Sequence, residues 1–461
     1  MTAVEMTAYL GLVLAIGYVI ASMANSQRRM SAAELLGLSL GLGFGTVGLL
    51  LLDLSLVGFP PHRGVLLLIG AVATLLLIIM AWGGRLAIPS KVRAFNFRDW
   101  TEYLLLLPGG LIVYVLVGVT VHAVAFDMYD GDAFAMWGLK AREVATEPIV
   151  PHPEFFSDPA LFYSHARYPL LLPFVLAGGY GSVGGFHDRA VKVLFPLMFL
   201  ALILLCYSCL FNVGLSRLQA FLLTALLVAV RPMARWAGSG YVDVPFAMFY
   251  FGSVVCLIRW LGRFRWQDLL LCAMFSAFAA LTKNEGLPLA VINGIAIAVG
   301  WITKRPKLND FSWIVYVGTA ALMVAPFLTW VYPLPRGDED YPSKLTISRI
   351  IDNRGRLLDI IPAMAGEAMA PRQQGCVWIL LIAAAAVGRR GFARSELRCV
   401  WFLIGAQLFV YALVYEITPW DLTALLPLTV DRLFLHVTPL AVVLIGLHWR
   451  WAGEAGTSAA G

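Results

Sequence analysis

Charge is what this 461-residue sequence has least of. Aspartate, glutamate, lysine and arginine make up 13% of it, against about a quarter in soluble domains, while hydrophobic residues make up 60% and the mean hydropathy is +0.79. That balance excludes an ordinary water-soluble or disordered chain. Cysteine is also scarce, at six residues. Cys206, Cys209, Cys256, Cys272, Cys376 and Cys399 lie in or beside apolar runs with no metal or disulfide spacing, so they read as small core hydrophobes. There is no internal repeat. The first apolar run lacks a basic start, which favours a retained helix over a signal peptide.

What is present is a series of apolar runs of about 20 residues, each long enough to cross about 30 Å of hydrocarbon. Spans are expected near residues 6–24, 35–58, 64–84, 103–125, 190–212, 218–231, 241–260, 267–282, 286–303, 312–332, 375–388, 399–416 and 432–449, about 13 in all. The expected class is therefore an all-α polytopic membrane protein. Alternate connections carry the cations: Arg28 and Arg29; Arg85, Lys91, Arg93 and Arg98; Arg217; Arg259, Arg263 and Arg265; Lys304, Arg305 and Lys307; Arg389, Arg390, Arg394 and Arg398. By the excess of basic residues these loops are expected in the cytoplasm, together with the C-terminus, and the N-terminus outside. The formal charge of +6 is thereby accounted for without a nucleic-acid partner. Residues 169–186 are apolar but short and interrupted by proline and glycine. They are expected to lie on, or dip into, the outer face beneath a cover of protein or water. Asp53, inside the second span, is expected to be a partnered structural acid.

In this phase the acidic features collect on the outward side. The longest polar interruption, from Asp127 to Pro173, begins with Asp127, Asp130 and Asp132 and continues through Trp137, Lys140, Arg142 and Glu143 at helical spacing. Asp132, Met136 and Lys140 would share one helical face, an acid and a cation aimed together. A solvated loop with a surface ion pair is the plain alternative. Asp243, Lys283, Glu285 and Asp421 stand at helix mouths on the same side, and Arg432 and His436 stand one turn apart at the start of the last span. Their plain alternatives are a helix cap for Asp243, a snorkelling anchor for Arg432 and a core histidine for His436. In the long loop, Ile350, Leu357 and Ile361 would share a helical face that lies on the membrane or closes as a lid.

At Asp132-Ala133-Phe134-Ala135-Met136-Trp137 with Lys140-Ala141, followed by His165 and Tyr168-Pro169-Leu170-Leu171-Leu172-Pro173, the chain resembles the GT-C glycosyltransferases. Within them it looks most like the bacterial relatives of protein O-mannosyltransferases and the aminoarabinose transferase of lipid A. The likeness runs on through Thr282-Lys283-Asn284-Glu285-Gly286, Thr418-Pro419-Trp420-Asp421-Leu422 and Asp431-Arg432, covering residues 103–449.

The resemblance implies a GT-C-like helical bundle in the bacterial inner (plasma) membrane with an outward-facing site. Residues 1–102 would be extra N-terminal transmembrane helices and 103–449 the catalytic domain. Within that domain, 125–189 would be the first large outward loop and 333–374 an outward loop or lid, with 450–461 a cytoplasmic tail. In that family an acid in the first large outward loop is the base, and a second acid follows at the mouth of a later helix; Asp132 and Asp243 match these positions. The family's Asp-Glu pair is Asp132-Ala133 here, which leaves Asp127, Asp130 and Asp132 as alternatives for the base.

The implied donor is a polyprenyl-phosphate sugar and the acceptor a glycan, lipid or protein, with inversion at the anomeric carbon. Lys140, Arg432 and Lys283 would face the phosphate, and Trp137, His165, Tyr168, Glu285, Asp421 and His436 would complete the binding site. No cofactor is demanded. Converging carboxylates admit a divalent metal, although no ligand spacing requires one. The competing reading is a transporter or lipid flippase, against which stand the lack of repeated halves and the placement of charge at one face.

Overall fold

A computed structural model describes residues 2–25, 30–90, 96, 98–304, 312–336 and 340–457. Among these residues it is helical throughout, with no strand beyond the isolated pairing of Met30 with Pro89. Arg28, Arg29, Lys91, Arg93, Arg305 and Lys307, all used above to read loop charge, lie outside the described residues.

Ten of the described helices are long and apolar enough to cross a membrane: Thr2–Ala24, Ala32–Leu56, Arg63–Trp82, Trp100–Ala125, Asp188–Asn212, Asp243–Arg263, Gly286–Thr303, Trp313–Val331, Ser395–Ile417 and Leu422–Ala452. Three expected spans, 218–231, 267–282 and 375–388, form the shorter apolar helices Arg217–Val228, Trp266–Thr282 and Val377–Val387. The outer helices keep bare apolar faces. Leu67 and Leu68 on one, and Leu107, Val113 and Val117 on another, are exposed; such faces are unfavourable in water and suited to hydrocarbon. The architecture is that of a polytopic helical membrane protein.

Asp243–Arg263 is buried from Asp243 to Leu261 except at the partly buried Arg259, and it packs against Trp266–Thr282, Leu194–Asn212 and the last helix, so it is the axis of the bundle. The first two helices meet almost backbone to backbone. A side chain on Gly17 would stand 1.7 Å from the Ser39 carbonyl oxygen, and one on Gly43 would stand 2.0 Å from that of Val13. Close approach through small residues is how helices gain packing where lipid removes the hydrophobic drive.

The interrupted segment at 169–186 folds as the helix Leu171–Val183, wedged among the first two helices, Trp266–Thr282 and Leu139–Thr146. Its cover is protein. Tyr9 donates its hydroxyl to the Val175 carbonyl at 2.8 Å. Two expectations are corrected. Asp53 has one carboxyl oxygen buried without a hydrogen-bond partner, so it is not the paired acid anticipated. In the long loop, the 3-10 turn Arg354–Arg356 separates Ile347–Asn353 from Leu357–Ala368, so Ile350, Leu357 and Ile361 share no single helix face. Ile360, fully buried against Tyr415, Leu422 and Leu426, takes the inward position, and Ile361 is 58% exposed. Asn353 and Arg356 tie this loop to the carbonyls of Glu416 and Thr418.

Candidate functional site

Three segments remote in sequence deliver one charged cluster. Asp243 opens the central helix at its first turn, Lys283 and Glu285 sit in the turn after Trp266–Thr282, and Arg432 and His436 project from the last helix. The turn at 283–285 is tight. A side chain on Gly286 would stand 2.3 Å from the Ala279 carbonyl oxygen, so glycine there lets the chain reverse and bring Lys283 and Glu285 to one point.

The Asp243 carboxylate is wholly buried and accepts from three partners. Lys283 Nζ lies 3.0 Å and His436 Nε2 3.1 Å from its Oδ1, and Arg432 Nε lies 2.9 Å from its Oδ2. A carboxylate out of water persists only with such compensation. Since His436 Nε2–H donates to Asp243, its Nδ1 is the acceptor for the Tyr411 hydroxyl at 2.6 Å. Lys283 also pairs with Glu285 at 2.9 Å. Burial alone would push the Glu285 carboxyl up, yet Lys283 beside it holds it below its ordinary 4.5. Burial alone would likewise lower Lys283, and the Asp243 and Glu285 carboxylates raise it above 10.5. Asp243 is thus an anchor, and the cap reading is excluded, because the cap position is Val242.

Arg432 carries the cluster outward. Its Nη1 lies 2.8 Å from Asp132 Oδ2, its guanidinium stacks 4.7 Å above the Tyr241 ring, and its own side chain is 13% exposed against 36% for Asp132. One arginine therefore bridges a sealed acid and an open one across 189 and 300 residues of sequence. The Asp132 amide donates to the Tyr241 hydroxyl at 3.4 Å, and burial, reinforced by the Asp132 charge, pushes that phenol above its ordinary 10. Trp236 donates its indole N–H to Asp431 at 3.2 Å beside the same arginine.

The other expected residues lie elsewhere or act differently. Of the three early aspartates, Asp127 forms a two-armed pair with Arg189 at 3.1 Å on the surface, and Asp130 is half-buried with its carbonyl accepting from Phe134. Lys192, fully buried, pins this corner by donating to the carbonyls of Phe126 and Asp127. Lys140 is fully buried and donates to the His165 carbonyl between the rings of Trp137 and Tyr168, at 5.9 and 5.7 Å. These four residues form a knot of their own.

The common face of Asp132, Met136 and Lys140 fails because Ala133–Gly138 is a π-helical turn. Its wider winding carries residue 140 off the face that a 3.6-residue repeat assigns. Asp421 caps the last helix, accepting from the Thr423 amide at 3.1 Å and its hydroxyl at 2.6 Å, which lowers its carboxyl. Tyr411, Tyr241 and Trp236 were missed. Only Tyr241 carried a signal, two residues ahead of Asp243.

The cluster's acids meet through cations rather than through one another: Asp132 and Asp243 through Arg432, Asp243 and Glu285 through Lys283. Among the described residues no three histidine, cysteine or acidic side chains gather as a metal-binding group. No protein-family model, characterised protein sequence or solved structure matches this chain.

Proposed function

We propose that this chain is an integral-membrane glycosyltransferase of the GT-C type, moving a sugar from a polyprenyl-phosphate donor to a glycan, lipid or protein acceptor on the extracytoplasmic face. The observation that carries the reading is the Arg432 bridge, which holds a buried anchor, Asp243, and a solvent-open carboxylate, Asp132, on one guanidinium at the mouth of the bundle. Asp132 takes the proton from the acceptor hydroxyl as its oxygen attacks the anomeric carbon. The bond from that carbon to the phosphate oxygen breaks, the electron pair leaves with the phosphate, and the anomeric centre inverts. Arg432 faces the growing phosphate charge, a stabilisation concentrated in the transition state.

Lys140 takes no part in this step, because its ammonium is buried on the His165 carbonyl. Lys283 acts through Asp243. A transporter would instead place such charges at mid-depth, whereas Asp243 is the first residue of its helix. The test is mass spectrometry of lipids that copurify with the protein, followed by transfer assays with a polyprenyl-phosphate monosaccharide. Charged hydrogen bonds are worth about 1.5–3 kcal/mol, so Arg432→Ala should reduce donor use by roughly ten- to a hundredfold. Absence of bound polyprenyl phosphate, with no transfer by the wild type, overturns the reading.

A further inference from the structure

The first and third helices, Thr2–Asn25 and Arg63–Trp82, enclose a cleft of about 370 Å³ that the cluster above does not use. It begins at Glu5, Arg63 and Ser182 and runs along Gly11 and Ala15 on one wall and Gly70 and Thr74 on the other. From Glu5 to Ala15 is about 15 Å of helix. Both glycines face space: nothing lies within 4 Å of a side chain built on Gly11, and only Leu12, at 3.9 Å, meets one on Gly70. The hydroxyls below the mouth are already satisfied, Tyr9 on the Val175 carbonyl and Thr74 on the Gly70 carbonyl. The walls there present an apolar surface. Only the mouth is charged.

We infer that this cleft is a binding site for an anionic phospholipid, one acyl chain lying along Gly11 and Gly70 and the phosphate on Arg63. Three observations select that occupant. Both walls belong to helices long and apolar enough to cross a membrane, so the medium outside the cleft is hydrocarbon. A 20-residue helix spans about 30 Å, the thickness of the hydrocarbon core, which puts Arg63, its first residue, at headgroup level. Arg63 is 69% exposed and its ion pair with Glu5 is a long one, 3.9 Å, beyond hydrogen-bond range, so its N–H donors still face outward for a phosphate. The competing occupant is a partner's membrane helix, about 10–12 Å across, which cross-linking to a second chain distinguishes.

The test uses the full-length protein in nanodiscs of phosphatidylethanolamine and phosphatidylglycerol, either lipid carrying a photoactivatable acyl chain. Labelling should concentrate on peptides 5–15 and 63–74, more strongly from phosphatidylglycerol. Gly11→Leu with Gly70→Leu, at positions where an added Cβ meets nothing nearer than 3.9 Å, should narrow the cleft and lower that labelling about tenfold. Arg63→Gln should remove about fivefold of preference for the anionic lipid, as expected for one interfacial cation, and Arg63→Lys should retain it. Labelling as strong on the bare face of Trp100–Ala125, labelling indifferent to the double leucine variant, or cross-links to a second protein chain each overturn the site. None of these results depends on sugar transfer.

Discussion

The central helix Asp243–Arg263 ends in ionic clusters of opposite design. Asp243 and Arg259 are sixteen residues apart on it, about 24 Å. At the Arg259 end one cation meets two acids, Glu34 at 3.3 Å and Asp268 at 2.8 Å, and Asn212 donates to the second oxygen of Glu34 at 3.0 Å. All three charged side chains are closed off, Arg259 being the most open at 9%. At the Asp243 end the same sealed pairing is present, but Arg432 extends it to Asp132, which water reaches. Buried ion pairs are weak evidence of function by themselves, since a closed pair can be replaced by well-packed apolar groups. The difference between the ends is access, and access makes Asp132 the candidate for chemistry.

Substitutions at the two ends should therefore fail in different ways. Asp132→Asn should lower sugar transfer by about 10²–10⁴-fold, the usual worth of a general base, with the thermal unfolding transition in place. If Asp127→Asn or Asp130→Asn proves the dead variant and Asp132→Asn stays active, access has been misread. Arg259→Ala should do the reverse. It leaves Asp268 buried without its cation, a loss of about 3–5 kcal/mol, visible as a lowered unfolding transition while turnover per folded molecule is kept. A collapse of turnover in folded Arg259→Ala would give the closed end a part in catalysis.

The Lys283–Glu285 pair sharpens the comparison through pH. Glu285 is depressed in the folded state, so its contribution is present above pH 4.5 and lost as pH falls through the folded value. Lys283 is raised, so its contribution is present below pH 10.5 and lost as pH rises through the folded value. Thermal stability should accordingly fall at both extremes of pH, and Glu285→Gln should lessen the acid-side fall. An unchanged acid limb in that variant would show that another carboxylate governs it. The smallest effect is expected at Tyr411→Phe, which removes one neutral hydrogen bond to His436 and should cost about 1 kcal/mol of stability. A loss as large as that of Asp132→Asn would mean that the tyrosine does more than hold the imidazole.

Much of this molecule is readable from composition and order. Low charge and repeated apolar runs place it in a bilayer because no water-soluble core could use that much apolar surface. Asp132, Asp243, Lys283, Glu285, Arg432 and His436 could each be singled out because ionisable groups at helix mouths are costly without a partner. Span number was less legible. Arg217–Val228 and Val377–Val387 are apolar yet short, and hydropathy does not reveal where a helix stops.

What sequence alone could determine was local: which segments are apolar, which residues are charged, and where a turn must reverse. Which partner each charge takes was decided only by tertiary structure. Arg432 reaches Asp132 across 300 residues, and no periodicity operates at that range. Lys140 reaches the His165 carbonyl from beyond the π-helical turn at Ala133–Gly138, whose wider winding no 3.6-residue repeat in the sequence announces. Tyr411 joins His436 because two long helices cross there. Asp53 shows the converse: the sequence marks it as an acid in an apolar span, and the packing around it leaves one carboxyl oxygen buried and unpaired.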